Sequence, residues 1–350
     1  MGSARTRLAT DFLGALPRLL SSLTVTQTSV QRGARTAPEL LVKVVTPAGH
    51  TRTLCVEVRA AATPNRIPEA LRQLVQAHPS KKTYRVLGAV FLSPRARQLC
   101  REHGVGYLDL AGNCFLRWEG FHLEKIVDKN PFPARGRPSS LFTAISSRIV
   151  RAMLEEPTRV WRVNALAAAT DVSLGHISNV TRRLVDERYA VKTSGGLQLA
   201  QPGTLLDAWR ESYTIEQHLG RGYYSFERDP EQLMARVASV AQAHQWRYAL
   251  TSFGAAALVA PFVHGVATRQ WYVQDSAAEQ AWVQALDLRP AEAGPNVILR
   301  MPADAGVFYR ARAVNTIQIV GAIQLYLDLY RDPARGQEQA EFLRKKLLKY

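Results

Sequence analysis

The spacing of apolar positions along the chain changes period several times, and the changes divide it. Leu40 to Thr46 and Arg52 to Arg59 are apolar-rich runs of strand length joined by Pro47-Ala48-Gly49-His50. In the second run Leu54, Val56 and Val58 face one way and Cys55, Glu57 and Arg59 the other, the alternation of a pleated strand. Pro68 to Ala77 takes the helical period, with Leu71, Leu74 and Val75 inward. A strand over Tyr84 to Leu92, a helix over Pro94 to His103 and a strand over Gly106 to Leu110 complete an α/β unit assigned to residues 1–130. Within it Gly112-Asn113 is turn chemistry, with Asp109 placed to brace the turn.

Residues 131–140 break every period. Three prolines and a glycine in Pro131-Phe-Pro-Ala-Arg-Gly-Arg-Pro-Ser-Ser140 mark a linker. Its Arg135-Gly136-Arg137-Pro138 matches the core of an AT-hook, whose arginines enter a narrow A·T minor groove, and equally reads as a plain basic linker. A helix follows over Phe142 to Leu154, with Phe142, Ile145, Ile149 and Met153 on one stripe.

The next stretch is the most informative. Trp161-Arg162-Val163 reads as a short strand, Asn164 to Thr170 as a compact helix, Asp171-Val172-Ser173 as a turn, and Leu174 to Arg188 as a longer amphipathic helix. Tyr189 to Leu199 then reads as a hairpin turning at Ser194-Gly195-Gly196. Leu174, Ile177, Val180, Leu184 and Val185 fall on the core side of the second helix, and Ser173 stands at its N-cap. This is the order of a winged helix–turn–helix over residues 141–205, in which the second helix lies in the DNA major groove. The candidate DNA contacts are Ser173, His176, Ser178, Asn179, Arg182 and Arg183, with Lys192 on the wing and Arg135 and Arg137 in the linker. Asn can bond adenine and Arg guanine in two places each, while Ser and His reach phosphates or base edges.

From residue 206 helices and strands alternate. Glu231 to His244 is an amphipathic helix; Arg247 to Phe253, Gln270 to Gln274 and Asn296 to Met301 are strands; Ile317 to Leu329 and Gln337 to Leu348 are helices.

Composition adds compartment and charge. The 350 residues are 47% hydrophobic and 21% charged, the balance of packed domains. No run of 18 apolar residues suggests a membrane span, and Asp11 interrupts the apolar run near the start, which argues against a signal peptide. Cys55, Cys100 and Cys114 are too few and scattered for a metal knuckle or disulfide framework, which points to the cytoplasm and to no metal or cofactor. The net charge of +16 is uneven: residues 1–140 hold 21 Lys and Arg against 9 Asp and Glu, residues 141–210 hold 9 against 6, and residues 211–350 hold 15 against 14. The basic excess ahead of the reading helix would add sequence-independent, salt-sensitive attraction to phosphates.

Two catalytic patterns are present in incomplete form. The Glu57-x-Arg59 strand, crossing helix and further strand resemble the restriction-endonuclease-like fold, whose active members use Asp/Glu-x-Lys with a second carboxylate to hold Mg²⁺. Arg59 stands where Lys is expected, the Thr46 turn supplies no acid, and Glu39 reads as too far upstream, so the site looks degenerate; Glu57 is its metal ligand only if the chain is a nuclease. The helix–turn–helix together with Thr251-Ser-Phe-Gly-Ala-Ala-Ala257, Gln324-Leu-Tyr-Leu-Asp-Leu329, Arg335-Gly336 and Ala340-Glu341 resembles the AbiEi family of type IV antitoxins and transcriptional autorepressors. That resemblance implies a double-stranded operator with an inverted repeat, a homodimer, and a nucleotidyltransferase-like toxin as partner. It implies groove contacts at Ser173, His176, Asn179, Arg182 and Arg183. A nucleotidyltransferase-like fold is expected over residues 206–350, but after Thr251-Ser252-Phe253-Gly254 the next strand offers only Asp275 in place of a carboxylate pair. The expectation is therefore an α/β and α+β multidomain regulator without enzymatic activity, the alternative being a metal-dependent nuclease targeted by its winged helix.

Overall fold

The alternation in Thr51–Arg59 gives one sheet two different faces to cover. The computed structural model describes residues 2–32, 38–59, 62, 64, 66–77, 83–127, 131–132 and 140–350. The chain divides into two units, Met1–Arg137 with Arg183–Arg188, and Pro138–Arg182 with Tyr189–Tyr350. The first runs α1 (Gly2–Leu19), β1 (Thr24–Arg32), β2 (Pro38–Val45), β3 (Thr51–Arg59), α2 (Ile67–Ala77), β4 (Thr83–Ala89), α3 (Pro94–Glu102), β5 (Gly106–Asp109), β6 (Cys114–Trp118) and β7 (Phe121–Lys125). Its seven strands pair in chain order, with β3–β4 and β4–β5 parallel and the others antiparallel. Leu54, Val56 and Val58 join the core under α1, with Phe12, Leu16 and Leu20. Cys55, on the opposite face, joins Leu71 and Leu74 of α2 and Leu99 of α3.

Four elements of this unit, α1, β1, β6 and β7, are not announced by the sequence, and one residue is misplaced. Leu8, Phe12, Leu16 and Leu20 recur every fourth position, which makes the start of the chain a core helix. Strand β1, Thr-Val-Thr-Gln-Thr-Ser-Val-Gln-Arg, has too few apolar residues to announce itself and forms by pairing with β2. Val75, placed inward by spacing, is 40% exposed because Leu71 and Leu74 already fill that face of α2.

The second unit begins with α4 (Ala144–Glu155), α5 (Val163–Thr170), α6 (Leu174–Asp186), β8 (Ala190–Thr193), β9 (Gly196–Leu199) and α7 (Pro202–Ser212). It continues through β10 (Leu219–Tyr224), α8 (Pro230–His244), β11 (Tyr248–Thr251), α9 (Ser252–Val259), β12 (Arg269–Val273), α10 (Ser276–Ala285), β13 (Arg289–Pro290) and β14 (Val297–Met301). It ends with β15 (Arg312–Val314), β16 (Ile317–Ile319), α11 (Ala322–Tyr330), α12 (Gly336–Leu343) and a π-turn over Arg344–Leu348. The sheet order is β13-β10-β14-β12-β11-β16-β15. The helix expected over Ile317 to Leu329 is therefore a strand, a break at Gly321, and then a helix. Ile317 and Ile319 alternate as strand residues, and the helical period starts only at Ala322.

Between α4 and α7 the expected order of elements is found. Trp161 bonds Leu197 through both backbone groups, at 2.7 and 2.8 Å, and so ties the entrance of α5 to the hairpin. Asp171 ends α5 in the left-handed region, at φ 52°. Gly196 has φ +145°, and a Cβ there would collide with the Trp161 carbonyl, so the hairpin needs glycine at that position. Of the positions assigned to the core of α6, Ile177, Val180 and Leu184 are fully buried and Val185 half-buried, but Leu174 is 51% exposed. On α4, Ile149 and Met153 are buried while Ile145 is 51% exposed, because the buried side of this helix is turned toward a different set of residues. Residues 141–205 and 206–350, expected as separate domains, lie in one unit apart from Arg183–Arg188. Among the described residues no helix is long and apolar enough to cross a membrane.

Asp109 is the tightest polar centre of the first unit. Its Oδ1 accepts the Gly112 and Asn113 N–H groups at 3.0 and 2.9 Å, and its Oδ2 accepts Leu92 N–H at 2.9 Å and Asn113 Nδ2 at 2.7 Å. Burial raises its carboxyl above the ordinary range while these four bonds oppose the rise. The group is a turn brace, with both oxygens occupied. Asp109→Ala would leave three donors unpaired, the Gly112 N–H keeping the Asp109 backbone carbonyl, and is expected to cost about 2–4 kcal/mol in urea unfolding of the full chain. A loss below about 1 kcal/mol would contradict that role.

Candidate nucleic-acid interface

The candidate contacts on α6 and the hairpin separate into two groups. Ser173, Ser178 and Arg182 are exposed, as is Lys192 on β8, and Asn179 is half-buried. Ser178 Oγ donates to the Leu174 carbonyl at 2.9 Å, which leaves its oxygen free to accept. His176 differs: it is half-buried, and its Nε2 lies 3.0 Å from Ser146 Oγ on α4. Arg183 is half-buried, engaged in a contact, and part of the first unit. Arg135 and Arg137 lie outside the described residues.

Behind this surface, α4 presents a stripe that the apolar pattern does not reveal. Arg148, Arg151 and Glu155, spaced by three and four residues, share one side of the helix. Arg148 grips Asp304 with Nε to Oδ1 and Nη2 to Oδ2, both at 2.8 Å, and its Nη1 sits 3.5 Å from the Thr170 and Asp171 carbonyls at the end of α5. The Asp304 bonds hold its guanidinium above its ordinary pKa. Arg151 Nη2 donates to Gln324 Oε1 at 2.6 Å. Glu155 accepts the Ile323 N–H at 3.1 Å and so caps α11, whose own N-cap residue is Gly321; burial raises the Glu155 carboxyl.

Gln324 and Asp328, one turn apart on α11, form the centre of a buried network. Gln324 Nε2 donates to Asp328 Oδ1 at 2.7 Å. Asp328 also accepts from Tyr213, from Tyr272 at 3.0 Å and from Thr251 Oγ1 at 2.5 Å. Burial pushes both phenols well above their ordinary pKa, with the Asp328 charge adding to the rise. His218 Nδ1 accepts the Ala303 N–H at 3.1 Å, so the proton belongs on Nε2, which lies 3.1 Å from Tyr213 Oη. In the sequence, Gln324-Leu-Tyr-Leu-Asp-Leu329 stands out only as a family resemblance and not as a polar centre. The available signal was two polar residues four apart inside a run whose other members are apolar.

Neither catalytic pattern is assembled. Glu57 is 3% exposed and accepts Arg59 Nε at 2.6 Å, while Arg59 Nη2 donates to Gln73 at 2.9 Å. The guanidinium thus occupies the carboxylate that would bind a metal. The antiparallel register sets Glu39 opposite Glu57, so the distance along the chain that argued against Glu39 vanishes when the hairpin folds. Among the described residues no group of three His, Cys, Asp or Glu could hold a metal ion. In the second unit, the strand after Thr251-Ser252 carries Gln270 and Tyr272 at alternate positions, and Asp275 is spent capping α10 through the Ala278 N–H at 2.9 Å.

The second unit thus combines a helix–turn–helix–hairpin with a mixed seven-stranded sheet. Residues 198–349 match the model of the family described as transcriptional regulator, AbiEi antitoxin, type IV TA system. No curated protein matches the chain. Among solved structures, EndoMS in apo form is similar at 14% identity and TM-score 0.19 over 29% of this chain and 45% of that one, so the chain spans less than half the length of that structure.

The His218 arrangement has a pH signature. Burial lowers its pKa below the ordinary 6.5, so between the two values the unfolded chain binds the proton and the folded chain does not. Stability from this site is complete above about pH 6.5 and falls as pH drops below it. His218→Gln can keep both hydrogen bonds without titrating. The thermal midpoint of the native chain is expected to fall more steeply between about pH 6.5 and pH 5 than that of the variant, and equal slopes would contradict the assignment.

Proposed function

We propose that the chain is a sequence-specific double-stranded-DNA-binding transcriptional regulator of the AbiEi type, reading DNA with residues 141–205 as a winged helix. The observation that carries the reading is the outer side of α6, where Ser173, Ser178 and Arg182 are exposed beside a hairpin bearing Lys192. Its inner side is closed by Ile177, Val180 and Leu184. In this reading Arg182 and Asn179 address base edges, Lys192 addresses a phosphate, and exposed Leu174 supplies an apolar contact of the kind a thymine methyl accepts. His176 orients α6 through Ser146 and does not read DNA. Arg183, Arg135 and Arg137 add charge. Much of the affinity comes from the basic first 140 residues, with 21 Lys and Arg against 9 Asp and Glu, and is salt-sensitive. Two copies on an inverted repeat would place two α6 helices one helical turn apart. The C-terminal segment, which carries the family match, would hold the antitoxin role toward a toxin partner. Nuclease activity is not part of the proposal, because Arg59 holds Glu57.

Fluorescence anisotropy against a duplex from the DNA upstream of the chain's own coding sequence, with a scrambled duplex beside it, tests this. Arg182→Ala is expected to weaken the upstream duplex about 10- to 100-fold and leave the scrambled one nearly unchanged. Lys192→Ala should weaken both by a smaller, similar factor and flatten the salt dependence. Equal affinity of the native chain for the two duplexes, or full affinity in Arg182→Ala, would overturn the reading.

A further inference from the structure

A cavity of about 50 Å³ opens to solvent between α4, α7 and the loop around Asp304, within the second unit. Its polar groups are nearly all spoken for. The Asp304 carboxylate is held by Arg148 and by the Gly306 N–H at 2.7 Å; Tyr213 donates to Asp328; His218 bonds Ala303 and Tyr213. Arg151 is the exception. It lines the cavity, is 3% exposed and makes no ion pair among the described residues, Asp304 and Asp328 acting on its charge only from a distance, and its Nε has no hydrogen-bond partner. Its neutral neighbours are Gln324 Oε1 and the face of Trp209, 4.9 Å from the guanidinium carbon. Trp209 stacks in turn on Phe142, at 5.7 Å and 8°, to form a flat apolar wall.

A buried cation with an unused donor is costly unless an anion joins it. The cavity fixes what that anion can be. Holding one water-sized body takes about 10–15 Å³ of such space, so the volume accommodates about four heavy atoms. A single available cation favours one negative charge, and the Trp209–Phe142 wall favours a partner with an apolar end. We propose that this cavity is a binding site for a short monocarboxylate of acetate size, its oxygens on Arg151 and its carbon end against Trp209. Such an occupant would sit on α4 about one turn from Ser146, whose hydroxyl bonds His176 on α6, which is where an effector of the reading helix would belong. The site itself does not depend on the DNA-binding proposal, and its test does not use DNA.

The test is ligand-observed NMR titration of the full chain with sodium acetate at constant ionic strength, with acetamide as the uncharged isostere. Saturable acetate binding with a Kd of about 1 mM is expected, with acetamide at least about tenfold weaker. Arg151→Met should reduce acetate binding at least about tenfold. Because that variant removes a buried partner of Gln324 and could fail to fold, Gln217→Glu, on the cavity wall, supplies an independent arm. It leaves Arg151, Gln324 and Asp328 in place, sets a like charge beside the anion, and should weaken acetate about three- to tenfold while sparing acetamide. Failure of acetate to saturate below about 20 mM, equal binding of acetamide, or undiminished acetate binding in either folded variant would overturn the proposal.

Discussion

The second unit depends on how α4 is used on two sides at once. Ile149, Val150, Met153 and Leu154 are fully buried, as in any helix of a small domain. Arg148, Arg151 and Glu155 reach instead into the C-terminal segment, to Asp304, Gln324 and the first turn of α11. A guanidinium as buried as Arg151 is tolerated only where a neighbour accepts its hydrogen bonds, and Gln324, itself held by Asp328, does so. The consequence is mechanical. The helix that supports α6 through Ser146 and His176 is also tied to the segment around Asp304 and α11, so α6 has no independent foundation.

This arrangement explains which parts of the chain could be read from its sequence. Elements with their own period were legible: the paired strands at residues 38–59, the α5–α6 hairpin, and the helix at Pro230–His244 follow from apolar spacing and turn residues. The glycine at 196 also spoke plainly, since only a hairpin passing against Trp161 requires it. What escaped was whatever depends on a partner distant in sequence. Strand β1 is too polar to predict and exists because β2 lends it hydrogen bonds. Arg148 and Arg151 look like ordinary surface arginines until Asp304 and Gln324 arrive from more than 150 residues away. Glu39 looked remote from Glu57 for the same reason, until the hairpin set them in register.

The exposed polar surface of α6 and the hairpin is correspondingly modest. Several candidate groove residues serve the fold as well, His176 on α4 above all. The exposed remainder, Ser173, Ser178, Arg182 and Lys192, with half-buried Asn179, carries only the charges of Arg182 and Lys192. The first 140 residues hold most of the net charge of +16, the part that the proposed function uses for phosphate attraction. The incomplete catalytic patterns fit the same economy. Glu57 is neutralised by Arg59, and Gln270 and Tyr272 stand where a nucleotidyltransferase needs carboxylates.

Residues 140–182 and 189–350 lie in one compact unit, whose two halves α4 ties together through Arg148, Arg151 and Glu155. A double-mutant cycle on Arg148 and Asp304, with Arg148→Met, Asp304→Ala and the pair compared in urea unfolding, tests it most directly. The two-point contact between these partly buried groups predicts a coupling of about 1–3 kcal/mol and loss of both halves of the unit in one transition. A coupling near zero, or an α4–β9 segment that unfolds separately from the C-terminal sheet in the native chain, would contradict the account.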